Sequence, residues 1–199
     1  MHRMDAALVN IRPANDHSGA RAYARRSLGT SDTLDLAILG LTGLYPMTEE
    51  RLLSLLQRIA CPMFHPTPDL IAGRAADLVR RDLLAVTQGG GEPSLLRPTK
   101  AGADHLRRLL ATPGPAESAV QHDLVFLLKV CLLDFLSDRD RRDVIRHLAD
   151  ERRAALDVAE TAMRRCRATG RYTRLWLRPE VERLNDDIGW LEQLSLADA

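Results

Sequence analysis

Thr33–Leu56, TLDLAILGLTGLYPMTEERLLSLL, is the stretch on which the fold of this chain turns. Its first half places Leu34, Leu36, Ala37, Ile38, Leu39 and Leu41 on nearly every face of a helix, so that helix must be buried on most sides. Ser31 or Asp32 is the expected N-cap. Gly43 ends the helix and Pro46 prevents its continuation. A second helix begins after Thr48, with Glu49 and Glu50 at the positive end of its dipole. Its stripe is Leu52, Leu53, Leu55, Leu56 and Ile59, and Cys61-Pro62 closes it.

Working outward, residues 61–68 (CPMFHPTP) read as a turn. Thr67 as cap and Pro68 at the first helical position start a third helix that reaches about Asp82. Ile71, Ala75, Leu78 and Val79 form its inner side; Asp69, Gly73, Ala76, Asp77 and Arg80 lie opposite, with Arg74 on the flank. Leu83–Thr87 and Ser94–Arg97 read as strands joined by the turn Gly89–Pro93. Thr99 caps a fourth helix through Leu106, Leu109 and Leu110, ended by Thr112-Pro113-Gly114-Pro115. Helix, helix, helix, hairpin, helix over residues 31–112 is the order of a winged helix-turn-helix.

Residues 116–199 read as helical, making the chain mainly α. Val120–Leu136 is apolar nearly all round. Asp138–Arg167 is long and polar with a thin stripe at Val144, Leu148, Ala155, Ala159 and Cys166. After Thr169-Gly170, Leu177, Leu184 and Leu191 recur at sevens with Val181 and Ile188 between them. Such a seam packs within the fold or against a second copy.

The 199 residues suffice for one large or two small domains, and the balance of 45% apolar to 28% charged residues is that of an ordinary globular protein. The net charge of +1 gives no overall nucleic-acid bias. Residues 1–30 carry five Arg against two Asp and form a basic arm, whereas residues 31–112 balance nine basic with nine acidic groups. Three scattered cysteines without a CxxC argue against a disulfide framework. No signal peptide is evident, and the longest apolar run, Leu124–Leu136, is interrupted by Lys129 and Asp134 and too short to span a bilayer. A cytoplasmic protein without a membrane partner is expected.

Several segments resemble the PadR family of bacterial transcription regulators. Leu34–Leu41 (LDLAILGL) is similar to that family's opening helix, Leu78–Leu84 (LVRRDLL) to its helix-to-strand segment, and Leu96–Leu106 (LRPTKAGADHL) to its wing strand. Asp123–Phe135 (DLVFLLKVCLLDF) and Leu184–Leu194 (LNDDIGWLEQL) resemble its dimerisation helices. The resemblance implies a homodimer that binds double-stranded DNA at a palindromic operator. It also implies a repressor released by a small aromatic or cationic effector. It would put Leu128, Leu132, Phe135, Leu177, Val181, Leu184, Ile188 and Leu191 at the dimer interface. Two departures stand out. Ile71, Ala72 and Gly73 occupy the positions of the family's Leu-Tyr-Pro element, and Gln88–Leu95 contains no Lys or Arg where the family's wing is usually basic.

In a winged helix the outer face of the third helix meets base edges, because an α-helix fits the major groove. Arg74 and Arg80 are the candidates for base or phosphate contact there, and Arg97 and Lys100 for backbone contact at the wing. Thr48 and Thr67 head helices whose first amides can hold a phosphate, as well as serving as caps. Trp190, beside the seam, is a weak ligand-stacking candidate whose plainer role is core or interface. Cys61 and His65 have metal-like spacing, but two ligands do not make a zinc site, so no metal is expected. No catalytic constellation and no cofactor motif is present, so an enzyme is not expected. The alternative to a DNA-binding regulator is a winged-helix protein-interaction module, favoured by the neutral 31–112 region and the acidic groups on the third helix.

Overall fold

The computed structural model describes residues 27–60, 65–89, 92–114, 119–165 and 171–197. Most of the basic arm, Cys61, Cys166, Thr169-Gly170 and the wing tip at Gly90-Gly91 lie outside them. The first helix, α1 (Thr30–Leu44), contributes Leu34, Leu36, Ile38, Leu39 and Leu41 to the core. Gly29 is its N-cap, two residues before Ser31, the earlier of the two expected caps; Asp32 serves from inside the helix, its carboxylate accepting from the Gly29 N–H at 3.1 Å. The helix runs one residue past Gly43, and Tyr45 then turns to extended backbone ahead of Pro46. Next come α2 (Glu49–Ala60) and α3 (Pro68–Arg80), capped as expected: Thr48 Oγ1 accepts from the Arg51 N–H and Thr67 Oγ1 from the Leu70 N–H, both at 3.3 Å.

Strands β1 (Leu84–Gly89) and β2 (Glu92–Pro98) pair antiparallel with Leu84 opposite Pro98 and Val86 opposite Leu96. Met47 bridges to Leu96, adding one residue of the segment before α2 to the hairpin's edge. Helix α4 (Lys100–Ala111), capped by Thr99, closes the unit. This is a winged helix-turn-helix built on α1. Val79, expected inside, is partly exposed, since one step past the buried Leu78 turns it about 100° round the helix.

Helices α5 (Ala119–Cys131), α6 (Asp138–Arg165) and α7 (Arg171–Ala197) follow, with a short 3-10 turn at Leu133–Phe135 after α5. The hydrophobic core runs unbroken from the first unit into these helices. Leu132 lies so close to α1 that a Cβ on Gly40 would meet its methyl at 2.3 Å. The joint is also polar. Buried Lys129 donates to the Thr112 carbonyl at 2.5 Å, and Glu151 accepts from the Gly114 N–H at 2.9 Å. Both satisfy backbone groups left over where α4 ends.

The seam residues divide. Leu184 and Leu191 are fully buried within a single chain, and so are Leu128 and Leu132. These four are interior residues rather than exposed interface residues, because α7 folds back on α6 and the end of α5 rests on α1. Phe135, Leu177, Val181 and Ile188 stay partly exposed. The large apolar side chains left open on α6 and α7 are Val158, Tyr172, Leu175, Trp176, Trp190 and Leu196.

Candidate nucleic-acid interface

Helix α3 packs Ile71, Ala75 and Leu78 inward and presents the opposite side to solvent. Gly73 is exposed at its middle, with no atom within 4 Å of where a Cβ would stand. Ala76 and Arg80 continue that surface. Arg80 is 75% exposed and hydrogen-bonds one residue of its own helix, Asp77. The helix passes to the wing through a tight C-terminal turn. Asp82 adopts φ 56°, its N–H reaches the Val79 carbonyl at 3.0 Å, and the Leu83 N–H reaches the Leu78 carbonyl at 2.9 Å. Thr99, heading α4, donates its hydroxyl to the Asp82 carbonyl at 2.7 Å. Helix α3, the wing and α4 therefore meet at one corner.

Arg74 is not on the open face. Its guanidinium forks onto Asp35 of α1, Nε to Oδ1 at 2.5 Å and Nη2 to Oδ2 at 2.7 Å, while Nη1 reaches Asp77 at 3.1 Å. The hydrogen bond to Asp35 raises the pKa of Arg74 still further, so it is cationic at every accessible pH. Asp35 is 1% exposed, and Arg81 and His105 also approach it, at 3.4 and 3.5 Å. Asp77, which a reading of sequence sets against phosphates, is surrounded by Arg74, Arg80 and Arg81. The two carboxylates and three guanidiniums of this cluster sum to a positive charge.

Arg97 projects from β2 and Lys100 from the first turn of α4, both exposed, and neither has an ion pair among the described residues. Lys100 stands at the positive end of a helix that has no acidic residue in its first turn. Arg97 also borders a cavity of 290 Å³ with Arg107, Pro46, Pro98, Leu106 and Phe135. Thr48 and Thr67 both keep hydroxyls engaged as caps, and the acidic groups Glu49, Glu50 and Asp69 share their first turns. Trp190 is 44% exposed and lines no part of this cavity.

Three groups were missed by pattern alone: Asp35, Arg81 and His105. One signal for Asp35 was present, a carboxylate set inside the apolar run Leu34–Leu41, which needs a partner wherever it is buried. Among the described residues no group of three or more His, Cys, Asp or Glu side chains could hold a metal, and no helix is long and apolar enough to cross a membrane.

No protein-family model matches the chain, and no curated protein matches it. Solved structures do. One is PadR of Bacillus subtilis in complex with operator DNA, 19% identical over 83% of this chain and 99% of that chain, with a TM-score of 0.39. The same protein in complex with p-coumaric acid is 18% identical over 86% of this chain and 98% of that chain, TM-score 0.39. The PadR-like regulator BC1756 of Bacillus cereus is 11% identical over 83% and 97%, TM-score 0.37. The chain is similar to PadR and PadR-like transcriptional regulators over most of its length. At these identities and TM-scores, neither operator nor effector passes to this chain; its own side chains must supply them.

Proposed function

We propose that this chain is a DNA-binding transcription regulator whose α3 reads the major groove while the β1–β2 hairpin lies beside the sugar-phosphate backbone. The observation that supports it best is the outer face of α3. Gly73 and Ala76 leave that face low, and Arg80 projects from its end beside a net positive cluster. Arg80 is the candidate for base or phosphate contact; Arg97 and Lys100 are the candidates for backbone contact. The chain acts as a homodimer, because one reading helix covers a single half-site and half-sites lie about 34–36 Å apart on one face of the duplex. The exposed Tyr172, Leu175 and Trp176, with partly exposed Leu177, Val181 and Ile188, are the surface available for that contact.

We propose further that the regulator is a repressor released by a small aromatic effector at the cavity beside Arg97. Arg97 on its rim favours an anion and weighs against a cationic ligand, while Arg107 beside it is paired with Asp104. Arg97 would be drawn from the backbone toward the effector. Selection from random duplex DNA at two salt concentrations tests the main reading. Enrichment of an inverted repeat at both is the expected result; an unselected pool at both would overturn it.

A second reading, a protein-interaction module, has its own support. Leu70 and Val79 are partly exposed on α3, Asp69 stands in its first turn, and Gln88–Leu95 carries no cation. A footprint on DNA upstream of the protein's own gene separates the two.

A further inference from the structure

Asp35 stands alone as a carboxylate in the buried span Thr33–Thr42 of α1. A buried carboxylate persists where its charge is met and its oxygens are hydrogen-bonded. Here the partners come from two other helices. Arg74, in the middle of α3, forks onto both oxygens, fixing distance and angle together. Arg81, at the C-cap of the same helix, reaches Oδ2 at 3.4 Å, and His105 of α4 stands 3.5 Å from that oxygen. Arg74 and Arg81 are about two turns apart along α3. A rod held at two such points cannot turn about its own axis. Rotation is the freedom that matters for reading, since a one-residue turn of about 100° would replace the Gly73–Ala76–Arg80 surface with another.

We infer that Asp35 is a positioning residue for the reading helix, and that Arg74 governs DNA recognition through Asp35 rather than by touching DNA. The inference rests on α3 being the reader. Lysine at position 74 would keep the charge but lose the planar fork. The double change Asp35→Asn with Arg74→Gln would remove both charges and leave polar groups that can still bond.

The test uses the full chain in two arms. In the first, native-state hydrogen exchange is followed without DNA. Amides of residues 70–81 should exchange about tenfold faster in the double variant, with α2 unaffected. In the second, affinity for the selected duplex and for random duplex is measured across a salt series. The specific-to-random ratio should fall about tenfold while the slope of log Kd against log salt holds, whereas Arg80→Gln should lower that slope by about one. Arg74→Lys, which leaves no unpaired carboxylate, should lower the ratio in the same direction and stands in if the double variant does not fold. Unchanged exchange of α3, or a slope that falls by about one for the double variant, in which the position-74 cation is gone, would overturn the inference. An unchanged ratio would do so as well. If wild-type protein selects no sequence, the DNA reading falls, and exchange alone decides whether Asp35 holds the helix.

Discussion

Replacing Gly73 and Gly102 by alanine, one at a time, should move stability in opposite directions, although both lie within helices. At Gly73 a Cβ meets nothing within 4 Å, so the change should act through backbone freedom alone. Alanine is favoured over glycine inside a helix by about 0.8–1.0 kcal/mol, so Gly73→Ala should stabilise by about 1 kcal/mol. At Gly102 a Cβ would stand 1.9 Å from the Leu83 carbonyl oxygen, which is backbone and cannot rotate away. The start of α4 must then back off by about 1 Å, a forced repacking that costs about 1–3 kcal/mol. That movement also strains the bond from the Thr99 N–H to the same oxygen, 3.1 Å, and the Thr99 cap on Gly102, 3.0 Å. Each is worth about 1 kcal/mol. Set against the helical gain, Gly102→Ala should destabilise by about 3 kcal/mol, or roughly 6–12 °C in melting temperature at this chain length. Urea unfolding with an unchanged m-value is the assay. A Gly102→Ala protein within about 0.5 kcal/mol of wild type would refute the packing argument. The same Gly73→Ala protein tests the interface: greater stability with weaker duplex binding means that the constraint on this position comes from outside the chain.

Burial holds the His122 imidazole below its ordinary range, with Glu151 at 3.7 Å opposing the shift. The unfolded chain therefore takes up that proton first, so the histidine's contribution is complete above about pH 6.5 and is lost as pH falls toward the folded value; His122→Gln should flatten that part of a stability–pH curve. Leu184→Asp should unfold the protein, because the side chain is interior, whereas Trp176→Asp, at a position 79% exposed, should leave the fold intact and shift light scattering toward monomer. A folded Leu184→Asp monomer would return Leu184 to the interface. Arg152→Met should cost about 2–3 kcal/mol in urea unfolding, less than a fully buried pair because its partners are partly solvated. It leaves Asp123 and Asp187 without the buried guanidinium that meets both at 2.7 and 3.3 Å and lies over the Phe126 ring.

How much of this was legible in sequence depends on how local the cause is. Thr48, Thr67 and Thr99 were readable as caps because a cap is a contact across three residues. The hairpin was readable from its turn, and α1 from the number of apolar faces. Leu184 and Leu191 recurred legibly, but a heptad repeat states only that a stripe is buried. Whether the facing surface belongs to the same chain depends on the path after residue 165, and here α6 covers those two leucines. Lys129 was read as an interruption in an apolar run. Its role needs the Thr112 carbonyl, seventeen positions away, and burial pushes its ammonium to a lower pKa than usual.

The same distinction resolves the charge of α3. Counted along the chain, residues 31–112 are neutral and α3 bears two aspartates, which argues against phosphate. Counted in space, Asp35 and Asp77 are bound into one cluster with Arg74, Arg80 and Arg81 and do not act as free anions. Asp69 is left as the acidic group of α3 outside the cluster, about three helical turns from Arg80. Charge on α3 is thus graded, negative where the helix begins and positive where it meets the wing and Lys100. On the reading proposed above, a duplex approaching this face would be drawn to the corner where the end of α3 meets the start of α4, with Arg80 exposed on the one and Lys100 on the other.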